Sequence, residues 1–254
     1  MALIGANGGL IGTQRSTNSS TAPGLWTANE QVLLRRAAIW PLSSDPNFSS
    51  VSLLLHMDGS NNSTTFTDNG PGSVTVTAGG NAKVSTTQSK FGGASAAFDG
   101  SGDYLSCTLD AIGTDDFTIE TWVRMSTFAN YRMLYETRTS DGDTAGFVWG
   151  VNSSGQLFIY LGGFVFTTGT LSTNTWAHVA LTRASGTWRM FVDGTLQSGT
   201  YSNSGNLTRT AVRIGMDWNT LYGVDGYLDD YRITKGIARY TANFTPPTAP
   251  FFDA

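Results

Sequence analysis

The sequence predicts an all-β protein: a sandwich of two packed antiparallel sheets. Three observations carry this. Apolar and polar residues alternate with period two in run after run, the signature of strands whose side chains point to opposite faces. Phe117, Ile119, Thr121, Val123 and Met125 face away from Thr118, Glu120, Trp122 and Arg124, and Ala177, Val179 and Leu181 face away from Trp176, His178, Ala180 and Thr182. Turn-formers punctuate these runs at roughly eight-to-twelve-residue spacing. Finally, Glu occurs only at 30, 120 and 136 and Lys only at 83, 90 and 235, while Gly reaches 30 residues and aromatics 12 %. Such a chain is a poor helix former.

In order, residues 1–24 are rich in Gly, Ser, Thr and Asn and expected to be ordered only if a neighbouring chain or their own domain holds them. In the next stretch, Thr27 followed by Glu30 is a capping-box signature, Val32, Leu33, Arg36 and Ile39 lie near helical spacing, and Pro41 ends the run, so one short helix is expected there. Residues 42–50 read as a linker. The expected domains are an arm over 1–45 and a sandwich over 46–254.

The first strand alternates Val51, Leu53, Leu55 and Met57 with Ser52, Leu54 and His56. A polar loop with Asp58 and Asp68 leads to Val74, Val76 and Ala78, and Tyr104 to Cys107 forms another strand. Strands 147–151 and 157–161 flank Asn152-Ser153-Ser154-Gly155, a hairpin, and Phe164 to Phe166 pairs next. Ala184-Ser185-Gly186-Thr187 closes a second hairpin onto a strand alternating Trp188, Met190 and Val192 with Arg189 and Phe191. Val212 to Gly215 and Tyr227 to Ile233 return the chain to the first strand's sheet, and 237–240 reads as one helical turn. This makes about a dozen strands.

Composition narrows the function. The net charge of −4 lacks the basic stripe of a nucleic-acid binder. Cys107, the sole cysteine, excludes an intrachain disulfide and fits assembly in a reducing cytosol. No basic segment followed by an apolar run opens the chain, so no signal peptide is expected. No stretch approaches the ~20 apolar residues needed to cross a bilayer.

Four blocks then stand out: Asp-Phe-Thr-Ile-Glu-Thr-Trp-Val (116–123), Trp-Ala-His-Val-Ala-Leu-Thr-Arg (176–183), Phe-Val-Asp-Gly (191–194) and Gly-Tyr-Leu-Asp-Asp-Tyr-Arg-Ile (226–233). With the small residues before Phe98-Asp99-Gly100, they resemble a laminin G-like jelly roll of the concanavalin A-like lectin/glucanase superfamily, along about residues 51–245. That fold hosts lectins, hydrolases, adhesion modules and structural domains, so it implies architecture more than activity. Separately, Gly-Leu-Trp-Thr-x-x-Glu-Gln followed by Arg-Arg-Ala and Trp-Pro (24–41) is similar to a segment of tailed-phage virion proteins, particularly of marine and cyanobacterial phages, that precedes appended modules.

The candidate sites follow. Some laminin G-like domains hold Ca²⁺ near their neighbouring first and last strands, which makes Asp58, Asp229 and Asp230 candidate ligands, carboxylates being what Ca²⁺ takes. Two adjacent aspartates repel unless a cation compensates, and Arg232 on Asp230's face would do so without metal; both readings stand. His56 and His178 sit among aliphatic residues and read as structural. Neither has a nucleophile elbow near it, although Ser52 and Ser172 are close in sequence. A glucanase of this superfamily would carry Glu-x-Asp-x-x-Glu on one strand; here Glu120 precedes Thr121, Trp122 and Val123, and pairs with Arg124 in a structural reading. Tyr131, Trp149, Phe164, Phe166, Trp218 and Tyr222 belong either to core and interfaces or to a sugar-stacking platform, with Trp149, Trp218 and Tyr222 as the glycan-binding candidates. Asp141-Gly142-Asp143 reads as a solvated turn or a metal loop, the turn being the default.

The resulting expectation is a non-enzymatic virion component of a tailed bacteriophage, a capsid decoration or a tail or fibre protein assembled in the bacterial host cytoplasm. Its arm would dock on other virion proteins by burying Leu25, Trp26, Leu33, Ile39 and Trp40, while the jelly roll contacts host-surface glycans. The phage resemblance implies a homo-oligomer, by analogy a trimer, without membrane insertion or nucleic-acid contact. The alternative is a free Ca²⁺-dependent carbohydrate-binding lectin.

Overall fold

The computed structural model describes residues 44–254, and the folded unit it shows spans Pro46–Asp253. The expected helix and the docking residues Leu25, Trp26, Leu33, Ile39 and Trp40 lie outside the described residues.

After a single 3-10 turn at Phe48–Ser50 the described chain is all strand and loop. The strands are β1 (Val51–Leu55), β2 (Thr77–Gly79), β3 (Lys83–Ser85), β4 (Ser95–Asp99), β5 (Tyr104–Thr108) and β6 (Phe117–Met125). Next come β7 (Arg132–Glu136), β8 (Val148–Val151), β9 (Gln156–Tyr160), β10 (Phe164–Thr170) and β11 (Ala177–Ala184). Last are β12 (Thr187–Val192), β13 (Thr195–Leu196), β14 (Tyr201–Ser202), β15 (Ala211–Ile214) and β16 (Asp225–Lys235). Several are short pieces of two or three residues, which is why they exceed the dozen expected.

The strands form two antiparallel sheets. The nine-stranded sheet runs β13-β12-β11-β6-β16-β4-β3, with β1 also on β16 and β14 on β12. The seven-stranded sheet runs β10-β9-β8-β7-β15-β5-β2. The long central strands β6, β11 and β16 turn one face of alternating residues into the space between the sheets: Phe117, Ile119, Val123 and Met125 from β6, Val179 and Leu181 from β11, Leu228 and Ile233 from β16. The second sheet answers with Leu134, Trp149, Leu157, Ile159, Val212 and Ile214. Each large side chain fully withdrawn from water contributes roughly 1.5–3 kcal/mol before ordering costs. The β11–β12 turn places Ser185 and Gly186 at φ 48° and 77°, the pair of positive values a tight hairpin requires.

The structure departs from sequence expectation in four places. β1 has a register shift between Val51 and Leu53, so Leu53, Leu55 and Met57 enter the main core while Val51 joins Leu54 on the opposite side against Phe251. Residues 237–240 form no helical turn, because Tyr240 is pulled flat by Thr182, whose hydroxyl donates to the Tyr240 carbonyl at 2.9 Å. β15 joins the second sheet and only β16 returns to β1. β7, a strand not among those expected, is bulged between Met133 and Tyr135.

Candidate functional site

The consecutive strands β7 to β10 create an aromatic surface on the outer side of the seven-stranded sheet. Period two sends Trp149, Leu157 and Ile159 inward and leaves Val148, Phe158 and Tyr160 outward. Met133, Gly150 and Phe158 are cross-strand partners, and Gly150 keeps the floor low: a Cβ there would stand 3.0 Å from the Phe158 ring. On this floor of Met133, Val148 and Phe158 stand Tyr131, Tyr160 and Tyr222. Tyr131 meets Phe158 edge-on at 5.2 Å, Tyr222 at 5.7 Å and Phe164 in a stacked pair at 5.9 Å. Phe164 is itself 52 % exposed. Together they line a groove of about 330 Å³, a size suited to a small ligand.

Polar groups rim one side of it. Arg138 lies over the Tyr160 ring at 5.1 Å and is gripped from below by Glu136, whose Oε1 accepts from Nε at 3.0 Å and whose Oε2 accepts from Nη2 at 2.7 Å. Burial pushes the Glu136 carboxyl above its usual range, against the pull of the Arg138 fork. Asp141 sits 3.9 Å from the third Arg138 nitrogen and accepts from Trp218 Nε1 at 3.2 Å. Asp217 Oδ1 accepts from the backbone N–H of Leu221 and Tyr222, fixing the loop that carries Tyr222. Trp218 is set by Arg213, which donates to the Asp217 and Trp218 carbonyls. It lines an adjoining recess of about 280 Å³ that shares Arg138. Behind the rim, Asp143 anchors its own turn rather than a metal loop. Burial would raise its carboxyl, but the N–H groups of Thr139 and Ala145 and the Arg209 side chain hold it at about 2.

Of the three glycan candidates, Tyr222 lines the groove, Trp218 stands beside it and Trp149 does not reach it. Trp149 is fully buried, because its place in β8 points it into the core; it has no face to offer a sugar. Tyr131 and Phe164 were legible as loop or surface aromatics. Tyr160 and Phe158 were not, although alternation along 157–161 would have set them on the outer face.

The carboxylates Asp58, Asp229 and Asp230 gather on the other sheet. Asp229 Oδ2 accepts from the Lys90 and Phe91 N–H groups at 2.6 and 3.1 Å, while its Oδ1 is buried without a hydrogen bond. Asp230 Oδ1 meets His56 Nδ1 at 2.7 Å, and Oδ2 accepts from the Phe251 N–H at 2.7 Å. The expected pairing of Asp230 with Arg232 fails for a local reason. β16 is bulged between Asp229 and Arg232, with Asp230 at φ 49°, so the period-two relation is broken there. Arg232 instead donates to Glu120, Nη2 to Oε1 at 2.7 Å. Glu120 is likewise not paired with Arg124, whose Nη1 goes to Asn174. Completely buried, Glu120 also accepts from the Tyr240 hydroxyl at 2.8 Å and faces His178 Nε2 at 3.2 Å. Burial would raise its carboxyl; Arg232 and His178 outweigh burial and hold it at about 2. Asp230's two oxygens and one of Asp229's are thus committed to protein donors. Among the described residues no group of three or more His, Cys, Asp or Glu side chains is arranged to hold a metal ion.

One further recess, about 640 Å³ and open, lies between residues 49–52 and 71–74. Among the described residues it is lined by no aromatic ring, and its one cation, Lys235, lies 3.8 Å from Asp115.

A family model described as concanavalin A-like lectin/glucanases superfamily matches residues 99–238. No curated protein sequence matches the chain. Among solved structures, domain 4 of AbnA, a GH43 extracellular arabinanase from Geobacillus stearothermophilus in complex with arabinotriose, is similar at 14 % identity and TM-score 0.54, over 74 % of this chain and 93 % of that one. The botulinum neurotoxin type G receptor binding domain is similar at 13 % identity and TM-score 0.54, over 75 % of this chain and 49 % of that one. A Trypanosoma rangeli sialidase is similar at 15 % identity and TM-score 0.56, over 76 % of this chain and 32 % of that one. The chain thus spans nearly all of the arabinanase domain, half of the neurotoxin domain and a third of the sialidase. At these identities the likeness is one of fold.

Proposed function

Because the chain belongs to the concanavalin A-like lectin/glucanases superfamily, we propose that it is a non-enzymatic carbohydrate-binding module whose site is the aromatic groove on the seven-stranded sheet. The observation that carries this reading is the uncovered cluster of Tyr131, Tyr160, Phe164 and Tyr222 beside the polar rim of Arg138, Asp141 and Asn219. Flat rings offer a platform to the apolar face of a sugar, and a few polar groups at its edge take up hydroxyls. The similar arabinanase domain was solved with arabinotriose, which supports a saccharide as the ligand class. A glycan array tests the proposal. Phe164→Ala and Tyr131→Ala should each lower binding at least tenfold with the fold intact. Undiminished binding in both variants overturns it.

Turnover is not expected. Glycoside hydrolysis needs two carboxyl groups flanking the sugar bond, one free to give a proton. Of the carboxylates at or near the groove, Glu136 is locked in the Arg138 fork, Asp217 is held by the Leu221 and Tyr222 N–H groups, and Asp141 lies exposed on the rim against Arg138 and Trp218; Glu120 is sealed on the other sheet. Calcium is not required by this reading, so a chelator should leave glycan binding unchanged.

We also propose, from the resemblance of residues 24–41 to tailed-phage virion proteins, that residues 1–45 dock the module onto a phage particle as an oligomer, where multiplicity turns weak single-site affinity into avidity. Deleting 1–45 should abolish particle incorporation while isolated sandwiches still bind glycan. Unchanged incorporation would end the docking idea.

A further inference from the structure

We propose that the groove selects uncharged saccharides and rejects those bearing a carboxylate; this deepens the carbohydrate-binding reading and rests on it. Among the described residues Arg138 is the one cation lining the groove. Its Nε and Nη2 are both taken by Glu136, and its remaining nitrogen faces Asp141 at 3.9 Å. A sugar carboxylate arriving here would meet a guanidinium whose charge Glu136 already balances, with a further carboxylate, Asp141, beside its remaining N–H edge. Neighbouring cations are also engaged: Arg209 Nε donates to Asp143 at 2.8 Å, and Arg213 donates to two backbone carbonyls.

The rim is instead anionic. Asp141 is 82 % exposed, and Asp217 lies at the same edge, beneath the 221–222 backbone. A hydroxyl is both donor and acceptor, and a carboxylate oxygen accepts hydroxyls in short charge-assisted bonds. Asp141 therefore suits a neutral sugar presenting hydroxyl donors, and repels a uronic or sialic acid placed in the same groove. Selection comes as much from the repulsive element as from the attractive one.

The test uses the full chain on an array of neutral gluco-, galacto-, manno- and arabino-oligosaccharides beside their uronate and sialylated counterparts, followed by titration of the best neutral binder and its carboxylated partner. The expected result is at least tenfold tighter binding of the neutral form. Phe164→Ala should abolish it, and Asp141→Lys should narrow or invert the preference. If carboxylated sugars bind equally or better and Phe164→Ala still abolishes binding, the groove is right and the selectivity is wrong. If nothing binds, or binding is undiminished in both Phe164→Ala and Tyr131→Ala, the carbohydrate reading itself falls and the selectivity with it.

Discussion

On the nine-stranded sheet the outward row His178, Trp122 and Asp229 runs across β11, β6 and β16 beneath other parts of the same chain. Lys90 lies 3.8 Å over the Trp122 ring, Phe244 packs edge-on against His178 at 5.7 Å, and Phe251 sits under the Arg232 guanidinium at 3.8 Å. On the seven-stranded sheet the outward Met133 and Phe158 are buried beneath a single layer of rings, of which Tyr131, Tyr160 and Tyr222 are half-buried and Phe164 stands half in solvent. Both faces carry aromatics beside charges. The cover decides what they do: beneath it, Glu120, Arg232 and His178 become internal structure, whereas the uncovered rings stay available to a ligand. Charged residues in a strand are therefore poor markers of a site until it is known what packs on them.

Mutation should separate the two faces sharply. The largest effect is expected at Glu120. Glu120→Gln keeps the shape but removes the buried carboxylate that Arg232, Tyr240 and His178 converge on, and breaking one side of a buried pair costs about 3–5 kcal/mol. The denaturation midpoint should fall with little change in its slope, while the remaining folded protein binds glycan normally. A loss below about 1 kcal/mol would mean that the network is not structural, and would reopen Glu120 as a functional carboxylate. Next is Phe251→Ala, which empties the pocket formed with Val51 and Leu54 and exposes Arg232; about 3 kcal/mol is expected. The matched change on the open face, Phe164→Ala, should cost under about 1 kcal/mol and act on binding instead. Equal stability losses at the two phenylalanines would erase the distinction between covered and open faces.

How much of this could be read from residues alone differs by face. The central strands were plain, because β6, β11 and β12 alternate without interruption. β16 was plain as a strand but misleading as a site: the bulge at Asp230 turns Tyr231 into the core, where its hydroxyl donates to the Leu134 carbonyl at 3.0 Å, and hands Arg232 to Glu120. A bulge adds one residue and shifts the alternation by one, here from Leu228 to Tyr231 and Ile233, but the sequence alone does not say which residue is the extra one. The groove was half legible. Tyr131, Phe164 and Tyr222 stood out as aromatics near loops, but Trp149 looked equivalent to them, since only strand register tells an inward ring from an outward one. Arg138 and Glu136 are i, i+2 like Asp230 and Arg232, and nothing in the sequence marks the first pair over the second; the turn after Glu136, where the Arg138 N–H also donates to Oε1, is what brings them together.

The smallest predicted effect is a pH dependence confined to the covered face. Burial pushes the Asp229 carboxyl up to about 7, with Asp230 and Asp58 adding to the rise and the Lys90 and Phe91 N–H groups opposing it. The unfolded chain ionises this group in the ordinary carboxylate range, so the stability it contributes is full below that range and is lost as pH climbs through about 7. His56, raised chiefly by its bond to Asp230, acts in the same sense: its contribution fades as pH rises through its folded value. Glu120 acts oppositely and only in acid, where stability falls as pH drops toward about 2. Asp229→Asn can still accept from Lys90 and Phe91 yet carries no charge. From about pH 5 to 8 the variant should therefore lose less stability than the parent, ending about 2 kcal/mol ahead, less than the full shift implies because His56 titrates alongside it. Glycan affinity, read over the same range, should not follow this curve, because no group of the Asp229 cluster lines the groove. If binding and stability titrate together, the two faces are coupled, and the separation drawn between them fails.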